Sequence, residues 1–335
     1  MKTKFNFLIC MMLTLTALAI NATVRIGIIG LDTSHSPAFV KSINAENPKP
    51  EYVGFKVVAA YPYGSKAIQS SLDRIPKFTE DVKKLGVKIS SSIEELLKEV
   101  DCVLLETNDG NMHLEQALEV FKAGKPVFID KPIGANLAQA IAIFEMAEKY
   151  NVPMFSSSAL RYGIQTQKLR NGESGKVVGV DTYAPGRLEP SHADFAWYGI
   201  HGIESLYTMM GVGCESVQRT YTEGSDFLVG KWKDGRIGTV RGIRDGKSAY
   251  GGMALTDKGV VPAGAYEGYD VLLVEVVKFF QTKVVPVSKE ETLEIFAFIE
   301  AADISRKNGG KAVSIEEAMK KGQKEAKKLI KKLKL

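Results

Sequence analysis

Residues 101–133 read DCVLLETNDGNMHLEQALEVFKAGKPVFIDKPI, and this stretch decides the fold. It contains two apolar runs of strand length, DCVLLE and KPVFID. Between them, Met112–Lys122 repeats apolar residues at helical spacing and ends before Gly124. A strand, a helix and a second strand in this order predict a βαβ unit with parallel strands. The unbroken apolar run Val103–Leu105 indicates a sheet that is covered on both faces.

The same alternation extends in both directions, from Val24 to about Ser158. Further runs of strand length are VRIGIIG, FKVVAAY, VKIS and VPMFSSS, and Leu137–Tyr150 is a second helix before Pro153. We therefore expect residues 23–158 to form an α/β domain, a Rossmann-like, doubly wound parallel sheet of the kind that binds dinucleotides.

The pattern changes after Ser158. Several runs of strand character follow one another closely with glycine-containing turns, namely VVGVDTY, SVQRTYT, FLVGKWK and RIGTVRGI. Helices are predicted for His201–Met210, Val271–Gln281 and Glu290–Lys307. These features predict an α+β domain over residues 159–313 with a largely antiparallel sheet, and an exposed face of that sheet could mediate oligomerisation.

The two ends of the chain differ from the rest. Residues 1–22 have a basic start, an apolar run from Phe5 to Ile20 and small residues before Thr23, which is typical of a Sec-type signal peptide and predicts a periplasmic or extracellular protein. The alternative is an uncleaved membrane anchor. Residues 314–335 are expected to form a basic amphipathic helix that begins with a capping box of Ser314 and Glu317.

Charge and cysteine content exclude several classes of function. The net charge is +5, but residues 314–335 alone contain eight Lys and three Glu, so the body of the chain is not basic and a nucleic-acid surface is not supported. No apolar window after residue 22 is long enough to span a bilayer. Cys102 and Cys214 lack metal-ligand spacing and are expected to be buried thiols, and no metal site is predicted.

The first strand runs into GIIGLDTSH, where a dinucleotide-binding domain has its GxGxxG turn. Gly30 occupies the first glycine position, but Asp32 occupies the second and His35 the third. A carboxylate near a pyrophosphate is unfavourable, whereas Thr33, Ser34 and the start of the next helix could still donate hydrogen bonds to an anion. The motif alone is therefore weak evidence for a dinucleotide.

The end of the second strand bears on the choice of cofactor. An acid that holds the ribose is expected there, but the sequence has Tyr61, followed by Ser65 and Lys66. A hydroxyl and a cation could accept a 2′-phosphate, so NADP is as plausible as NAD; the alternative is a plain surface turn.

Four segments together resemble the family of glucose-fructose oxidoreductase, inositol dehydrogenase and the rhizopine-catabolism proteins. They are residues 100–132, SSALRYG, YGIHGIESLYTMMG and AADISRKNGGKAVSI. The family's Glu-Lys-Pro signature is similar to Asp130-Lys131-Pro132 here. The resemblance covers nearly all of the chain after the signal segment and implies NAD or NADP as cofactor.

The resemblance implies catalytic roles for two residues. Lys131 would lie beside the nicotinamide and the substrate, where an ammonium can hydrogen-bond a reacting hydroxyl. His201 matches the family's catalytic histidine. The family often has an Asp one helical turn before this histidine, where this chain has Trp197, and His192, Asp194 or Glu204 could substitute for it.

The resemblance also suggests other ligand contacts. Thr107, Asn108, His113 and Asp130 would contact the cofactor, although Asn108 could instead cap a helix. The expected substrate contacts are Arg161, Arg187, Trp197 and Glu204. Surface salt bridges for the arginines and core packing for Trp197 are the structural alternatives.

Three functions are compatible with these observations. The first is an NAD(P)-dependent oxidoreductase acting on a sugar, polyol or glycoside hydroxyl, which outside the cytoplasm would retain its cofactor through turnover. The second is a lyase, epimerase or glycoside-cleaving enzyme in which the redox step is transient or lost, and the third is a noncatalytic sugar-binding protein. The expected partners are a small carbohydrate and, through the sheet of the second domain, another copy of the chain.

Overall fold

The computed structural model describes residues 23–333, so the predicted signal segment lies outside the described residues. The first domain has strands β1 (Val24–Ile29), β2 (Phe55–Tyr61), β3 (Lys88–Ile89), β4 (Cys102–Leu105), β5 (Val127–Asp130) and β6 (Met154–Ser157). Its helices are α1 (His35–Ile43), α2 (Gln69–Lys84), α3 (Ile93–Glu99), α4 (Gly110–Lys122) and α5 (Leu137–Lys149). The six strands are parallel in the order β3-β2-β1-β4-β5-β6, which confirms the predicted doubly wound sheet.

The register of this sheet determines which side chains meet at its carboxyl edge. Ile29 of β1 is paired with Leu105 of β4, and Leu105 is paired with Ile129 of β5. The residues that follow these three therefore leave the sheet at one level. The strand order reverses between β1 and β4, and ligands of open α/β sheets bind at this kind of switch point.

The second domain contains α6 (Ile164–Arg170), β7 (Val177–Pro185), α7 (Ile200–Met210), β8 (Cys214–Tyr221), β9 (Ser225–Trp232), β10 (Ile237–Ile243), β11 (Gly251–Thr256) and β12 (Gly259–Ala263). It continues with α8 (Asp270–Thr282), α9 (Lys289–Lys307), β13 (Val313–Ser314) and α10 (Ile315–Lys332). The sheet order is β12-β11-β7-β10-β9-β8-β13. The pair β7 and β10 is parallel and the other pairs are antiparallel, as predicted for a largely antiparallel sheet.

Two late helices return to the first domain. Helix α8 buries Val276, Phe279 and Phe280 in the same apolar core as Ile26 and Phe128 of the parallel sheet. This packing brings Tyr269, the residue before α8, to the carboxyl edge of that sheet.

The C-terminal segment forms the predicted helix, α10, which packs on α5 and α9. A methyl group added to Gly322 would lie 2.5 Å from the Leu137 side chain, so the two helices are in close contact there. The Ser314 hydroxyl accepts the backbone N–H of Glu317 at 3.1 Å, which confirms the predicted cap.

The predictions about the cysteines and about membrane-spanning segments can be compared with the structure directly. Cys102 and Cys214 are buried free thiols, as expected. In the part of the chain that the structure describes, no helix combines enough length and apolar character to cross a membrane.

Candidate active site

A cavity of about 210 Å³ lies at the carboxyl edge of the parallel sheet, between the two domains. The first domain lines it with Thr33, Ser34, His35, Arg74, Asn108, Asp130 and Lys131, and the rest of the chain with Ala159, Leu160, Tyr198, His201, Tyr250, Tyr266 and Tyr269. The sequence analysis named many of these residues, and the fold brings them to one place.

Lys131 extends from the end of β5 into the wall of this cavity. Its backbone N–H donates to Asp130 Oδ1 at 2.7 Å, and the Lys131-Pro132 peptide bond is cis. The Lys131 ammonium lies 5.7 Å from the ring centre of Tyr198, and the exposed Arg187 guanidinium lies 5.4 Å from the same ring. Two cations thus lie within cation–π distance of the Tyr198 ring, which is a favourable arrangement.

His201 enters the cavity from α7. Its Nδ1 is 2.7 Å from the Ser158 hydroxyl, which also accepts the backbone N–H of Leu160 at 3.2 Å. Burial lowers the pKa of His201 well below its usual value, and the positive charge of Lys131 lowers it further. His201 is therefore a neutral imidazole, and its Nδ1 is held by Ser158, which leaves Nε2 for a ligand.

Two expected substrate contacts are corrected by the structure. Arg161 is buried, and its guanidinium donates to Glu204 Oε1 at 2.8 Å and to Glu291 Oε1 at 2.6 Å. Glu204 also accepts the Ser157 hydroxyl at 2.5 Å. Because these charges are satisfied by one another in the core, neither Arg161 nor Glu204 is free to hold a substrate, and Glu204 does not orient His201.

Trp197 does not have the expected role of a substrate contact either. It is buried against the ring of His192 at 4.9 Å between centres and does not line the cavity, whereas the adjacent Tyr198 does. The His192 imidazole accepts the backbone N–H of Gly110 at 3.2 Å. Asp194 forms ion pairs with Arg219 and Arg306. None of the proposed substitutes for the missing aspartate therefore contacts His201; Ser158 does.

The turn after β1 departs from a glycine-rich turn in a specific way. Gly30 has φ +90°, and a Cβ at this position would lie 2.5 Å from the backbone nitrogen of Thr107. Asp32 is buried, and its Oδ1 accepts the backbone N–H of Asn108 at 2.9 Å. Asp32 Oδ2 has no hydrogen-bond partner within residues 23–333. Burial raises the pKa of Asp32 to about 6.

His35, at the third glycine position, inserts its ring below this turn. Its Nδ1 lies 3.3 Å from Glu106 Oε2 and 3.2 Å from Asp130 Oδ1. Burial lowers the pKa of His35, but the charges of Asp130 and Glu106 outweigh it and raise this pKa to about 10. Burial and the nearby charge of Asp130 raise the pKa of Glu106 to about 7. Three ionisable groups thus share one buried position.

Tyrosines from the second domain cover the turn. The Tyr269 hydroxyl is 2.8 Å from the Ser34 hydroxyl, and the Tyr269 ring meets the His35 ring edge-on at 4.4 Å. The Tyr266 ring lies 5.5 Å from that of Tyr269, and Tyr250 lies 5.3 Å from the ring of His201. These aromatic groups close the side of the cavity that faces the second domain.

The predicted cofactor contacts differ in how they are placed. The Thr107 hydroxyl is buried and has no hydrogen-bond partner in the described residues, and Asn108 lines the cavity. His113 is held between the backbone carbonyls of Thr107, at 2.7 Å, and Ile133, at 3.2 Å. It therefore positions the loops on both sides of the site and does not line the cavity.

The predicted adenosine end lies at the second strand. Tyr61 ends β2 and packs against Tyr63, and Lys66 is exposed. The Ser65 hydroxyl donates to Asp109 Oδ2 at 2.7 Å and caps the turn before α2. Ser65 is thus already bonded, while Tyr61 and Lys66 remain accessible.

Five residues near the site were not predicted from the sequence, namely Arg74, Glu106, Tyr250, Tyr266 and Tyr269. Arg74 of α2 lines the cavity and donates to the backbone carbonyl of Asp32 at 3.3 Å. Glu106 follows β4 directly, and the tyrosines after residue 249 come from a segment without a recognisable motif. The acid at the end of β4 was a signal that could have been found, because carboxyl ends of parallel strands meet at one edge.

The fold and the cavity define a two-domain α/β protein with a ligand site at the switch point of a Rossmann-type sheet. Residues 24–157 match a family model described as an oxidoreductase family with an NAD-binding Rossmann fold. This match assigns an NAD-binding Rossmann fold to the first domain, and it agrees with the resemblance and with the expectation of NAD or NADP as cofactor.

Individual relatives agree with this assignment. The chain is 28% identical over 257 residues to a protein named myo-inositol 2-dehydrogenase from Thermotoga maritima, which covers 68% of this chain and 70% of the relative. The structure of scyllo-inositol dehydrogenase from Lactobacillus casei, with bound NAD(H) and scyllo-inositol, is 16% identical and has a TM-score of 0.70. That match covers 88% of this chain and 99% of the other and shows a common fold.

The residues present fit a nicotinamide dinucleotide. The buried hydroxyl of Thr33 has no partner in residues 23–333, and the cationic Arg74 lines the same cavity, so hydrogen-bond donors and a positive charge face the place of the phosphates. Asp32 opposes them with a negative charge when ionised. The cavity is smaller than the roughly 300 Å³ lower limit that is usual for drug-sized ligands. This cavity alone therefore accommodates only part of a dinucleotide.

Proposed function

We propose that this chain is an NAD(P)-dependent oxidoreductase that acts on a CH–OH group of a sugar or polyol. The observation that carries the proposal is the joint placement of Lys131 and His201 in the wall of one cavity at the carboxyl edge of the family's NAD-binding sheet. The names of the relatives, both inositol dehydrogenases, support a cyclic polyhydroxylated substrate.

The cofactor would be held mainly by the first domain. The Thr33 hydroxyl, the start of α1 and Arg74 would hold the phosphates, and Thr107 and Asn108, which follow β4, would contact the nicotinamide end. When it is bound, the nicotinamide ring takes or returns a hydride. The protein's part is to hold the substrate carbon close to that ring and to manage the hydroxyl proton.

Lys131 and His201 would act differently on the reacting hydroxyl group. The Lys131 ammonium donates a hydrogen bond to the reacting oxygen and stabilises the negative charge that develops on it. His201 is neutral and its Nδ1 is bonded to Ser158, so Nε2 can accept the hydroxyl proton. Ser158 is a positioning residue, because it acts through the orientation of the His201 ring.

The cavity favours a single sugar ring. It is lined by Tyr198, Tyr250 and Tyr266, whose rings offer apolar faces and whose hydroxyls offer hydrogen bonds, which suits a sugar with apolar C–H faces and polar edges. The exposed Arg187, whose guanidinium lies 5.4 Å from the ring of Tyr198, would add selectivity for an anionic sugar.

The proposal includes export and retention of the cofactor. The support is residues 1–22, which read as a signal peptide. Free nicotinamide nucleotides are scarce outside the cytoplasm, so an exported enzyme has to keep its cofactor and regenerate it with a second substrate. The aromatic cover formed by Tyr266 and Tyr269 would slow release of a bound nucleotide.

We also propose self-association through the second-domain sheet. Its outer face exposes Val178, Ile237, Met253 and Val260, each about half exposed or more. A patch of this kind suits a second copy of the chain. Size-exclusion chromatography with light scattering tests it: a dimer or tetramer that Met253→Lys dissociates supports it, and a monomeric wild type contradicts it.

A second candidate function is proton abstraction beside a carbonyl without net oxidation. The observation that favours it is the buried Asp32 at the phosphate turn, together with the Ser34–Tyr269 contact that closes over the turn. Both features would oppose dinucleotide binding. Incubating the protein with a 3-keto-glycoside and finding cleavage without any change in nicotinamide absorbance would favour this candidate over the first.

The main test compares Lys131→Ala with Lys122→Ala, an exposed lysine on α4, as the matched control. The wild type is assayed for NAD⁺ and NADP⁺ reduction with a panel of inositols, hexoses and methyl glycosides. We expect Lys131→Ala to lower kcat/KM by about 10²- to 10⁴-fold, the usual worth of one acid or base group, and Lys122→Ala to leave it unchanged. Equal activity of both variants with a substrate that the wild type oxidises would refute the role of Lys131.

A further inference from the structure

The cluster of His35, Glu106 and Asp130 is not explained by the proposed function. His35 Nδ1 is 3.3 Å from Glu106 Oε2 and 3.2 Å from Asp130 Oδ1. One ligand atom from each residue lies within 4.8 Å of the other two. The side chains are 8%, 0% and 1% exposed, so water does not solvate the two carboxylates freely.

These contacts do not have the geometry of hydrogen bonds. Within residues 23–333, no hydrogen-bond partner is present for His35 Nδ1, for either oxygen of Glu106 or for Asp130 Oδ2. Buried polar atoms are normally paired, and a buried carboxylate without a partner is costly. Two of these atoms, His35 Nδ1 and Glu106 Oε2, lie 3.3 Å apart, and Asp130 Oδ1 lies 3.2 Å from the same nitrogen, which indicates that the three residues face a common ligand and not one another.

We propose that His35, Glu106 and Asp130 bind a divalent transition-metal ion, a site that goes beyond the proposed function. Imidazole nitrogen and carboxylate oxygen bind such ions at roughly 2.0–2.2 Å, so neighbouring ligand atoms in the coordination sphere are about 3–3.5 Å apart. The separations of 3.2 and 3.3 Å measured here match that spacing.

The fold explains how the three ligands come together. Glu106 directly follows β4, and Asp130 is the last residue of the adjacent strand β5. Leu105 of β4 is paired with Ile129 of β5, so the two acids lie at the same edge of the sheet. His35 begins α1, and its ring is held by Phe39 at 5.2 Å and Tyr269 at 4.4 Å. A glycine at position 35, as in the dinucleotide-binding motif, would remove the nitrogen ligand.

The ligand set restricts the kind of ion. One imidazole and two carboxylates suit Mn²⁺, Fe²⁺, Co²⁺ or Zn²⁺, whereas Ca²⁺ and Mg²⁺ prefer oxygen ligands only. Three protein ligands leave coordination positions open, which is typical of catalytic sites and not of structural ones. His35 and Asp130 line the cavity with Lys131, so the open positions face the substrate.

The ion would have two effects on the cavity. It can hold an oxygen of the sugar beside Lys131, which fixes the orientation of the ring. It also offsets the negative charges of Glu106 and Asp130 at the edge of the sheet, so that an anionic ligand is no longer opposed by them. The sequence alone predicts no metal site, because the three ligands are far apart in the chain.

The experiment measures metal binding without nucleotide or substrate, so it is independent of the proposed oxidoreductase activity. The purified chain is stripped with EDTA, dialysed and titrated with MnCl₂ and, separately, ZnCl₂ by isothermal titration calorimetry, and the bound metal is counted by elemental analysis. We expect one ion per chain for the wild type and at least tenfold weaker binding for Glu106→Gln and His35→Gln. The matched control is His192→Gln, which removes a buried histidine outside the cluster.

A second measurement keeps the test decisive if a variant does not fold. Pulsed electron paramagnetic resonance of the wild type with Mn²⁺ reports whether a histidine nitrogen is bonded to the ion, and thermal unfolding reports whether the metal stabilises the fold. Nitrogen coupling and a metal-dependent rise in Tm support the site. The absence of bound Mn²⁺ and Zn²⁺ at 1 mM, or equal binding by wild type and a folded His35→Gln variant, overturns it.

Discussion

The replacement Asp32→Asn should change how the stability of the protein depends on pH. Asp32 is buried at the phosphate turn, and burial raises its pKa from 3.8 to about 6. Between these two pH values the native state binds more protons at this residue than the unfolded state. The contribution of Asp32 to stability is therefore present below pH 4 and is lost as the pH rises to about 6.

The size of the effect follows from the shift. A difference of roughly two pKa units corresponds to about 3 kcal/mol in the free energy of unfolding. The amide introduced by Asp32→Asn would still accept the Asn108 N–H through its carbonyl oxygen, but it does not titrate. The free energy of unfolding of Asp32→Asn, relative to wild type, should thus rise by about 2 kcal/mol between pH 4 and pH 7, most of the full effect.

Urea unfolding followed by circular dichroism at pH 4, 5, 6 and 7 measures this difference. Groups that titrate in both proteins cancel when the two curves are subtracted, and Asp73→Asn, an exposed carboxylate on α2, is the matched control. A difference between wild type and Asp32→Asn that stays constant from pH 4 to 7 would refute the assigned burial of a charge at this turn.

Three further substitutions test the contact of Tyr269 with Ser34, the orientation of His201 and the turn at Gly30. Tyr269→Phe removes the hydrogen bond to Ser34, worth about 1 kcal/mol, so NAD(P)⁺ should bind about fivefold more tightly by fluorescence titration; weaker binding would contradict the cover. Ser158→Ala should lower kcat about tenfold with little change in KM, because it releases the ring of His201, while Ser158→Thr retains activity; an equal loss in both variants would indicate a purely structural role. Gly30→Ala should lower the free energy of unfolding by about 1–3 kcal/mol, because φ is +90° and the new Cβ would lie 2.5 Å from a backbone atom. An unchanged midpoint of urea unfolding would contradict this.

The first domain could be predicted because its elements have local signals. Apolar runs such as VRIGIIG and KPVFID are strands that are buried on both faces, and their spacing by helices dictates a parallel sheet. The packing of α8 on this sheet could not be predicted in the same way. Its apolar residues Val276 and Phe280 fit any apolar surface, and the choice of partner depends on contacts far apart in the chain.

The second sheet shows a similar limit. Four of its strands were recognisable from β-branched and aromatic residues, but Gly251–Thr256 and Gly259–Ala263 carry fewer of them and were missed. The parallel pairing of β7 with β10 also has no local signal, since it joins segments more than fifty residues apart.

The site residues that could be predicted from the sequence are those whose role follows from their position at the end of a strand. Lys131 is such a residue, and the fold places it beside His201 in one cavity. Arg161 and Glu204 were misjudged because their ion pairs with each other, and of Arg161 with Glu291, bridge long stretches of sequence. A charged residue next to a motif forms a buried ion pair, and does not contact substrate, when such a partner exists.

Mass spectrometry of the native purified protein tests the central claim most directly, since the claim is that this cavity holds a nicotinamide nucleotide. We predict a species heavier than the polypeptide by the mass of NAD(H) or NADP(H), which disappears when the protein is denatured and is matched by release of the nucleotide. The polypeptide mass alone, with no added mass after incubation with either nucleotide at 1 mM, would contradict the account.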